Sequence, residues 1–323
     1  MLRPRIQLLC ALPFLVAAAS AAVTFEEKPD RVTVKINGSL FTEYRYGDST
    51  HVYYYPLIGP GGVKMTRDFP MEKVAGQSTD HPHHRSLWFS HGFVNGVDFW
   101  SEAATFGSKP PKKPIGKTEH VKVLAMESGE KAGVLRTSQK WIMPDGSEAL
   151  TSVQSLRIHA DSEAERILDF EVTLSAGSKD AVFGETKEGS AALRIADSMR
   201  LKQGKAPGDG HIVNSEGLKD AAVWGHHAKW VTVSGPIEGK PYAITVMDHP
   251  SNPRHPTRWH VRDYGLFAAN PFCEYDMDKT QPKGSGEFTL KAGQSITLKY
   301  RILMTQGDEN SVRQNDRYAE FAK

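Results

Sequence analysis

The sequence predicts an all-β fold, a large antiparallel β-sandwich with one short C-terminal helix. Three observations carry that expectation: alternating apolar and polar residues recur in short runs, Gly, Pro, Asn or Asp separates most of the runs, and helical periodicity is confined to the C-terminus. Successive side chains of a strand point to opposite faces, so alternation is what a sheet with one buried face requires.

The first run is Val32-Thr33-Val34-Lys35-Ile36. The Asn37-Gly38 pair behind it tolerates the left-handed backbone of a two-residue turn, and the aromatic-rich stretch from Leu40 to Tyr46 returns, so a hairpin is expected. Alternation resumes from His120 to Ala125, from Val134 to Ile142 ahead of a Pro144-Asp145-Gly146 turn, from Thr151 to His159 and from Ile167 to Leu174. Further strands are expected at 230–233, 242–247, 288–290 and 296–304, where β-branched and aromatic residues are frequent. Residues 311–321 read as a short amphipathic helix with Ser311 as its cap. The Lys-Pro-rich run from Ser108 to Lys113 is an exposed loop and not a boundary, and no repeat or long linker divides the chain. Residues 22–323 are therefore expected to form one sandwich domain.

Residues 1–21 have the pattern of a signal peptide: Arg3 and Arg5 precede an apolar stretch from Ile6 to Ala18, and Ala19-Ser20-Ala21-Ala22 supplies small residues for cleavage. That stretch falls short of the roughly 20 residues a spanning helix needs. Leu9 stands where a lipid-attachment signal at Cys10 would need a small residue. The expectation is an exported protein, periplasmic or extracellular, with no membrane attachment after processing. Cleavage removes Arg3 and Arg5, so the 40 basic residues become 38 against 38 acidic ones. No basic excess is left to neutralise a phosphate backbone, which argues against a nucleic-acid partner. Cys273 is then the one remaining cysteine, so stability has to come from the core and not from an internal disulfide. A hydrophobic content of 39% and a mean hydropathy of −0.45 suit a soluble globular chain.

Polar residues concentrate in three segments. The first runs Asp80-His81-Pro82-His83-His84-Arg85 into Ser86-Leu87-Trp88-Phe89-Ser90-His91 and on to Trp100, and holds four of the 13 histidines. Read as a strand, it would put His83 and Arg85 on one face and His84 on the other. The second, Asp248 to Gly265, contains His249, His255, Arg258, Trp259, His260, Asp263 and Tyr264, and its three prolines mark most of it as loop. The third, Phe183 to Gly189, sets Glu185, Lys187 and Glu188 between glycines. Such segments are costly to order, and binding residues gather on loops of this kind.

These segments, His81 to Phe89, Asn95 to Trp100, Phe183 to Gly189 and His249 to Phe272, together resemble the PmoA-like family, a domain of unknown function from exported bacterial proteins; the resemblance spans about Tyr53 to Phe272. It implies no settled activity. In length, strand richness and its histidine-bearing strand, the chain also resembles the large galactose-mutarotase-like supersandwich of the aldose epimerases.

Three classes of function follow. The first is a carbohydrate-active protein of epimerase, hydrolase or lyase type, with His84 and His260 as acid and base and Glu185 as a second carboxyl base. Trp88, Trp100 and Trp259 offer ring faces to a sugar, Arg67, Arg85 and Arg258 could grip hydroxyls or a carboxylate, and His83, His91, Lys187, His255, Asp263 and Tyr264 complete the expected binding set. The second is a metalloprotein in which His81, His83 and His255 converge on a divalent metal, although the carboxylate a cupin-like site places shortly after such a histidine pair is missing behind His83. The first class requires no cofactor. The third is a carbohydrate-binding module without catalysis. In all three the first segment, the third and the second meet in one concave site.

Overall fold

The computed structural model describes residues 22–323, and the expected leader, residues 1–21, lies outside the described residues. Two eight-stranded antiparallel sheets face each other. The first orders its strands Val23–Lys28, Arg31–Ile36, Ser39–Arg45, Tyr53–Tyr54, Leu87–His91, Gly189–Arg194, Leu266–Asn270 and Arg258–Val261. The second runs His211–Asn214, Trp230–Ile237, Lys240–Asp248, Ser295–Gln306, Glu165–Ser175, Glu148–His159, Ala132–Ile142 and Lys117–Glu127. One continuous core lies between them, joining Val34, Leu87, Phe89 and Phe267 of the first sheet to Leu156, Phe170, Ile244 and Ile302 of the second. Among the described residues no helix is long and apolar enough to cross a membrane. Cys273 is buried and free.

The expected hairpin is present: Arg31–Ile36 pairs with Ser39–Arg45 through Asn37 and Gly38, both at positive φ. The helix starts later than expected, at Gln314, because Arg313 takes a left-handed backbone (φ 55°) that cannot continue into helix; the Ser311 hydroxyl donates to the Asp308 carbonyl instead of capping.

The proline-rich segment is mostly loop as expected, with Arg258–Val261 forming the edge strand of the first sheet. One sequence expectation needs correction. Residues 81–86 turn before the strand begins at Leu87: the His84 N–H donates to the His81 carbonyl, and His81 and Ser86 have positive φ. Strand alternation therefore does not separate His83 from His84, and their rings pack edge to face with centroids 4.3 Å apart.

Candidate functional site

The first sheet has an outer face, turned away from its partner sheet. On Leu87–His91 the side chains of Leu87 and Phe89 enter the core, so Trp88 and Ser90 point outward. Cross-strand register then sets Trp88, Ala192, Ala268 and His260 side by side, with Tyr53 beyond Trp88. Two methyl groups in the middle of a row with large rings at its ends make a floor that is itself covered, because Ala192, Ala268 and Trp88 pack with Tyr53, Tyr55, Trp100 and Leu266 in a second buried cluster. Next to it Ser90 faces Ser190.

Loops raise walls around this floor. The turn at 81–84 stands on edge and stacks its rings: Tyr264 lies parallel to His81 at 4.7 Å, His81 to His84 at 4.8 Å, and His84 to Trp88 at 5.4 Å. Asp80 holds the turn in place. It accepts hydrogen bonds from Arg67 at 2.9 Å, from Arg194 at 2.8 Å and from Nδ1–H of His81. Burial opposes its ionisation, but His81 and the two guanidinium groups hold its carboxyl far below the usual carboxylate range. Arg67 also donates to the carbonyls of Phe69 and His81, so it braces the turn from beneath and does not reach the floor.

Two histidines have a tautomer dictated by their partners. A carbonyl can only accept, so His260 donates Nδ1–H to the Lys187 carbonyl at 2.8 Å and leaves Nε2 bare. A guanidinium can only donate, so His84 accepts at Nδ1 from Arg194 at 3.2 Å and carries its proton on Nε2. Among the described residues both Nε2 atoms are buried without a partner. Burial keeps both rings neutral, depressing His260 to about 3 and His84 well below its ordinary value. The indole N–H groups of Trp88, Trp100 and Trp224 and the Ser190 hydroxyl are likewise buried and unpaired, and all belong to this face or its walls. Native proteins pair nearly all such groups, so a concentration of them marks a place where a ligand or ordered water supplies the partner.

Glu188 was missed by sequence reasoning as a catalytic candidate. Among the described residues its carboxyl makes no hydrogen bond or ion pair, and burial raises its pKa despite the nearby charges of Lys187, His81 and Arg262. His260 hydrogen-bonds the carbonyl of Lys187, the residue before Glu188, which places the two in one neighbourhood. The missed signal is small: Glu188 directly precedes the Gly189–Arg194 strand, where a side chain projects over the end of the sheet.

Several expected site residues lie elsewhere. Glu185 is occupied as a loop clamp, its carboxylate accepting the backbone N–H groups of Glu274 at 2.9 Å, Asp276 at 3.1 Å and Gly284 at 2.7 Å. His91 points inward, packed against Phe183 and Phe272, and donates to the Gly184 carbonyl at 2.8 Å. Trp259 is core, with its indole N–H on the Ala228 carbonyl. His255 bridges Asp248 at 2.7 Å and Tyr318 at 3.1 Å, joining its loop to the C-terminal helix. Arg85 forms a fork on Glu102 at 2.6 and 2.8 Å, and Arg258 is held by Glu274, Asp278 and the Gly225 carbonyl. His83 meets Thr105 at 2.9 Å, and burial lowers it to about 3. Asp263 pairs with Lys202 at 2.7 Å. Trp100 packs against Trp88, and Tyr264 stays in the wall, where burial pushes its hydroxyl to about 12. His81 and His83 are thus separated from His255, and among the described residues no group of three or more His, Cys, Asp or Glu side chains is placed to hold a metal ion.

Two clefts flank the wall formed by the turn at 262–265. One, of about 300 Å³, is lined by Trp224, Val261, Arg262 and Asp263. The other, of about 570 Å³, is lined by Asp80, Arg200, Asp263 and Tyr264.

An antiparallel β-protein of two large sheets with one C-terminal helix is the class this architecture defines. The chain belongs to the family of unknown function DUF6807, which matches residues 31–319. That assignment overturns the resemblance to the PmoA-like family: the histidine-rich motifs that suggested it occur here in a DUF6807 chain. A comparison with curated protein sequences finds no match. Among solved structures the chain is similar to a galactose mutarotase related enzyme from Lactobacillus acidophilus, with 8% identity, a TM-score of 0.35, and 88% of this chain and 97% of that one covered. It is similar also to a putative aldose 1-epimerase from Escherichia coli, with 10% identity, a TM-score of 0.34 and coverage of 88% and 99%. A polysaccharide lyase matches with 13% identity and a TM-score of 0.31, over 93% of this chain and 34% of its own.

Proposed function

We propose that the outer face of the first sheet binds a carbohydrate and acts on it by acid–base chemistry, with Glu188 and His81 in the proton-transferring roles and His84 and His260 as fixed neutral partners. The observation that carries this reading is the unpaired, largely buried carboxyl of Glu188 beside an alanine floor on which six buried polar atoms, among them Nε2 of both histidines, have no protein partner. A flat polyhydroxylated ring suits such a place. A hydroxyl donates to the bare Nε2 of His260, and a ring or carbonyl oxygen accepts from Nε2–H of His84. His81, oriented by Asp80, and Glu188, whose pKa burial raises, can then pass a proton in opposite directions. The expected binding residues His83 and Trp100 serve as backing to the stacked rings in this reading, and Lys187 supplies charge.

The test is calorimetry and proton NMR of the purified protein with a panel of free sugars and glycosides, following binding, anomeric or epimeric exchange and bond cleavage. Turnover lost in Glu188→Gln with the fold intact is the expected outcome. Binding without turnover in the wild type favours the non-catalytic reading, and neither with any sugar overturns the proposal. We further propose that the activity is extracytoplasmic, on the leader pattern of residues 1–21. N-terminal sequencing of exported protein should begin at Ala22 or Val23, and mature protein that retains Arg3 and Arg5 would refute it.

A further inference from the structure

We propose that this site selects a sugar bearing a carboxylate, read by Arg262 with help from Lys187; the proposal rests on the carbohydrate reading above and names its substrate class. Charges around the floor do not cancel. The three arginines that sequence reasoning set aside for this task are consumed within the protein: Arg85 by Glu102, Arg258 by Glu274 and Asp278, and Arg67 by Asp80. Asp80 also serves Arg194, so one carboxylate faces two guanidinium groups that are both fully buried. Lys202 is matched by Asp263, and Asp98 is spent on the backbone N–H groups of Trp100 and Ser101 at 2.8 and 3.0 Å.

Arg262 and Lys187 remain. Among the described residues neither side chain makes a hydrogen bond or ion pair, yet both act electrostatically on Glu188 and His260. Arg262 is held by ring faces, with its guanidinium carbon 5.7 Å from the centroid of Trp224 and 5.5 Å from that of Tyr264. Aromatic contacts fix the plane of a guanidinium and use none of its N–H donors. A preset fork of free donors fits a planar carboxylate, which it can grip with two parallel hydrogen bonds. A single negative charge is favoured over a double one because the Glu188 carboxyl shares the floor and repels an anion in proportion to its charge.

The experiment is calorimetric titration of the purified protein with glucuronate and galacturonate, with the neutral parents glucose and galactose, and with glucose 6-phosphate, each at low and at physiological ionic strength. The uronates are expected to bind at least about tenfold more tightly than the neutral sugars, with an advantage that shrinks as salt rises. Arg262→Gln should erase that advantage and leave neutral-sugar affinity unchanged, and Arg262→Lys, which keeps the charge and loses the fork, should restore part of it. Among the described residues the Arg262 side chain donates no hydrogen bond, so both variants are expected to fold, which the thermal midpoint checks. Equal affinity for acidic and neutral sugars overturns the charge assignment and leaves the carbohydrate reading standing. Tighter binding of the sugar phosphate also overturns it, and so does an Arg262→Gln variant that loses neutral sugars as well. No binding by any of the five sugars defeats both readings.

Discussion

Glu185 and Glu188 are three residues apart and do opposite things. Glu185 accepts three backbone N–H groups from the loop at 274–284, whereas the Glu188 carboxyl makes no hydrogen bond among the described residues. Glu185→Ala should therefore leave buried or half-buried donors unsatisfied and cost about 1–3 kcal/mol, read as a lower urea midpoint with faster hydrogen exchange at Glu274, Asp276 and Gly284. Sugar binding should survive it. Glu188→Gln should do the reverse. Burial raises the Glu188 pKa above its ordinary value of 4.5, so the folded protein holds this proton to higher pH than the unfolded chain does. The stabilising contribution is full below the unfolded pKa and is lost as pH rises through the folded one. Relative to wild type, the Gln variant should accordingly be unchanged in stability near pH 4 and more stable near pH 8. An unfolding series in urea at the two pH values checks the sign.

At the scale of elements, the turn at 78–84 is held by two carboxylates, Asp197 on the N–H and hydroxyl of Ser78 and Asp80 on the arginines behind it. Asp80 neutralises two guanidinium groups, Arg67 and Arg194, that have no access to solvent, and orients His81 as well. Asp80→Asn leaves two buried positive charges beside each other, a loss on the order of 3 kcal/mol by analogy with broken buried pairs. The Tyr264, His81, His84 and Trp88 stack should come apart with it, read as a change in the near-ultraviolet dichroism of Trp88. Retention of wild-type stability would mean that water already satisfies the two arginines. The strands behind this turn explain why it was hard to foresee. Leu87–His91, Gly189–Arg194, Leu266–Asn270 and Arg258–Val261 are buried at every position, one face against the second sheet and the other under loops. A strand covered on both faces has no reason to alternate.

For the molecule as a whole, neutral buried histidines set the response to acid. His91 is depressed to about 4, His83 and His260 to about 3, and His84 well below its ordinary value, in each case first by burial. The unfolded chain protonates these rings near pH 6.5 and the folded protein does not, so their contribution is fully present above about 6.5 and is lost as pH falls toward the folded values. At pH 5 the loss is at most about 2 kcal/mol for each ring. Stability should thus begin to fall between pH 6.5 and 5, before ordinary carboxylates titrate, and His91→Asn should flatten that part of the curve. A urea midpoint constant from pH 7 to pH 5 would contradict this.

The second sheet was legible because it meets water. Ala132–Ile142, Glu148–His159 and Glu165–Ser175 expose alternate residues, and a chain that must satisfy solvent on one side and a core on the other writes a period of two into its own residues. The hairpin at Asn37-Gly38 was legible for a similarly local reason, the backbone freedom of two residues. The first sheet's central strands carry no such record, and the outer face they build joins residues 80–84, 187–188 and 260–264, whose proximity no local pattern encodes. Composition marked three polar segments, two of them rich in histidine, as candidate places of chemistry. Which side chain in each is free to perform it was decided by tertiary structure, because a charged group in a folded protein is defined by its partners: Arg85, Arg258 and Glu185 found theirs, and Arg262 and Glu188 did not.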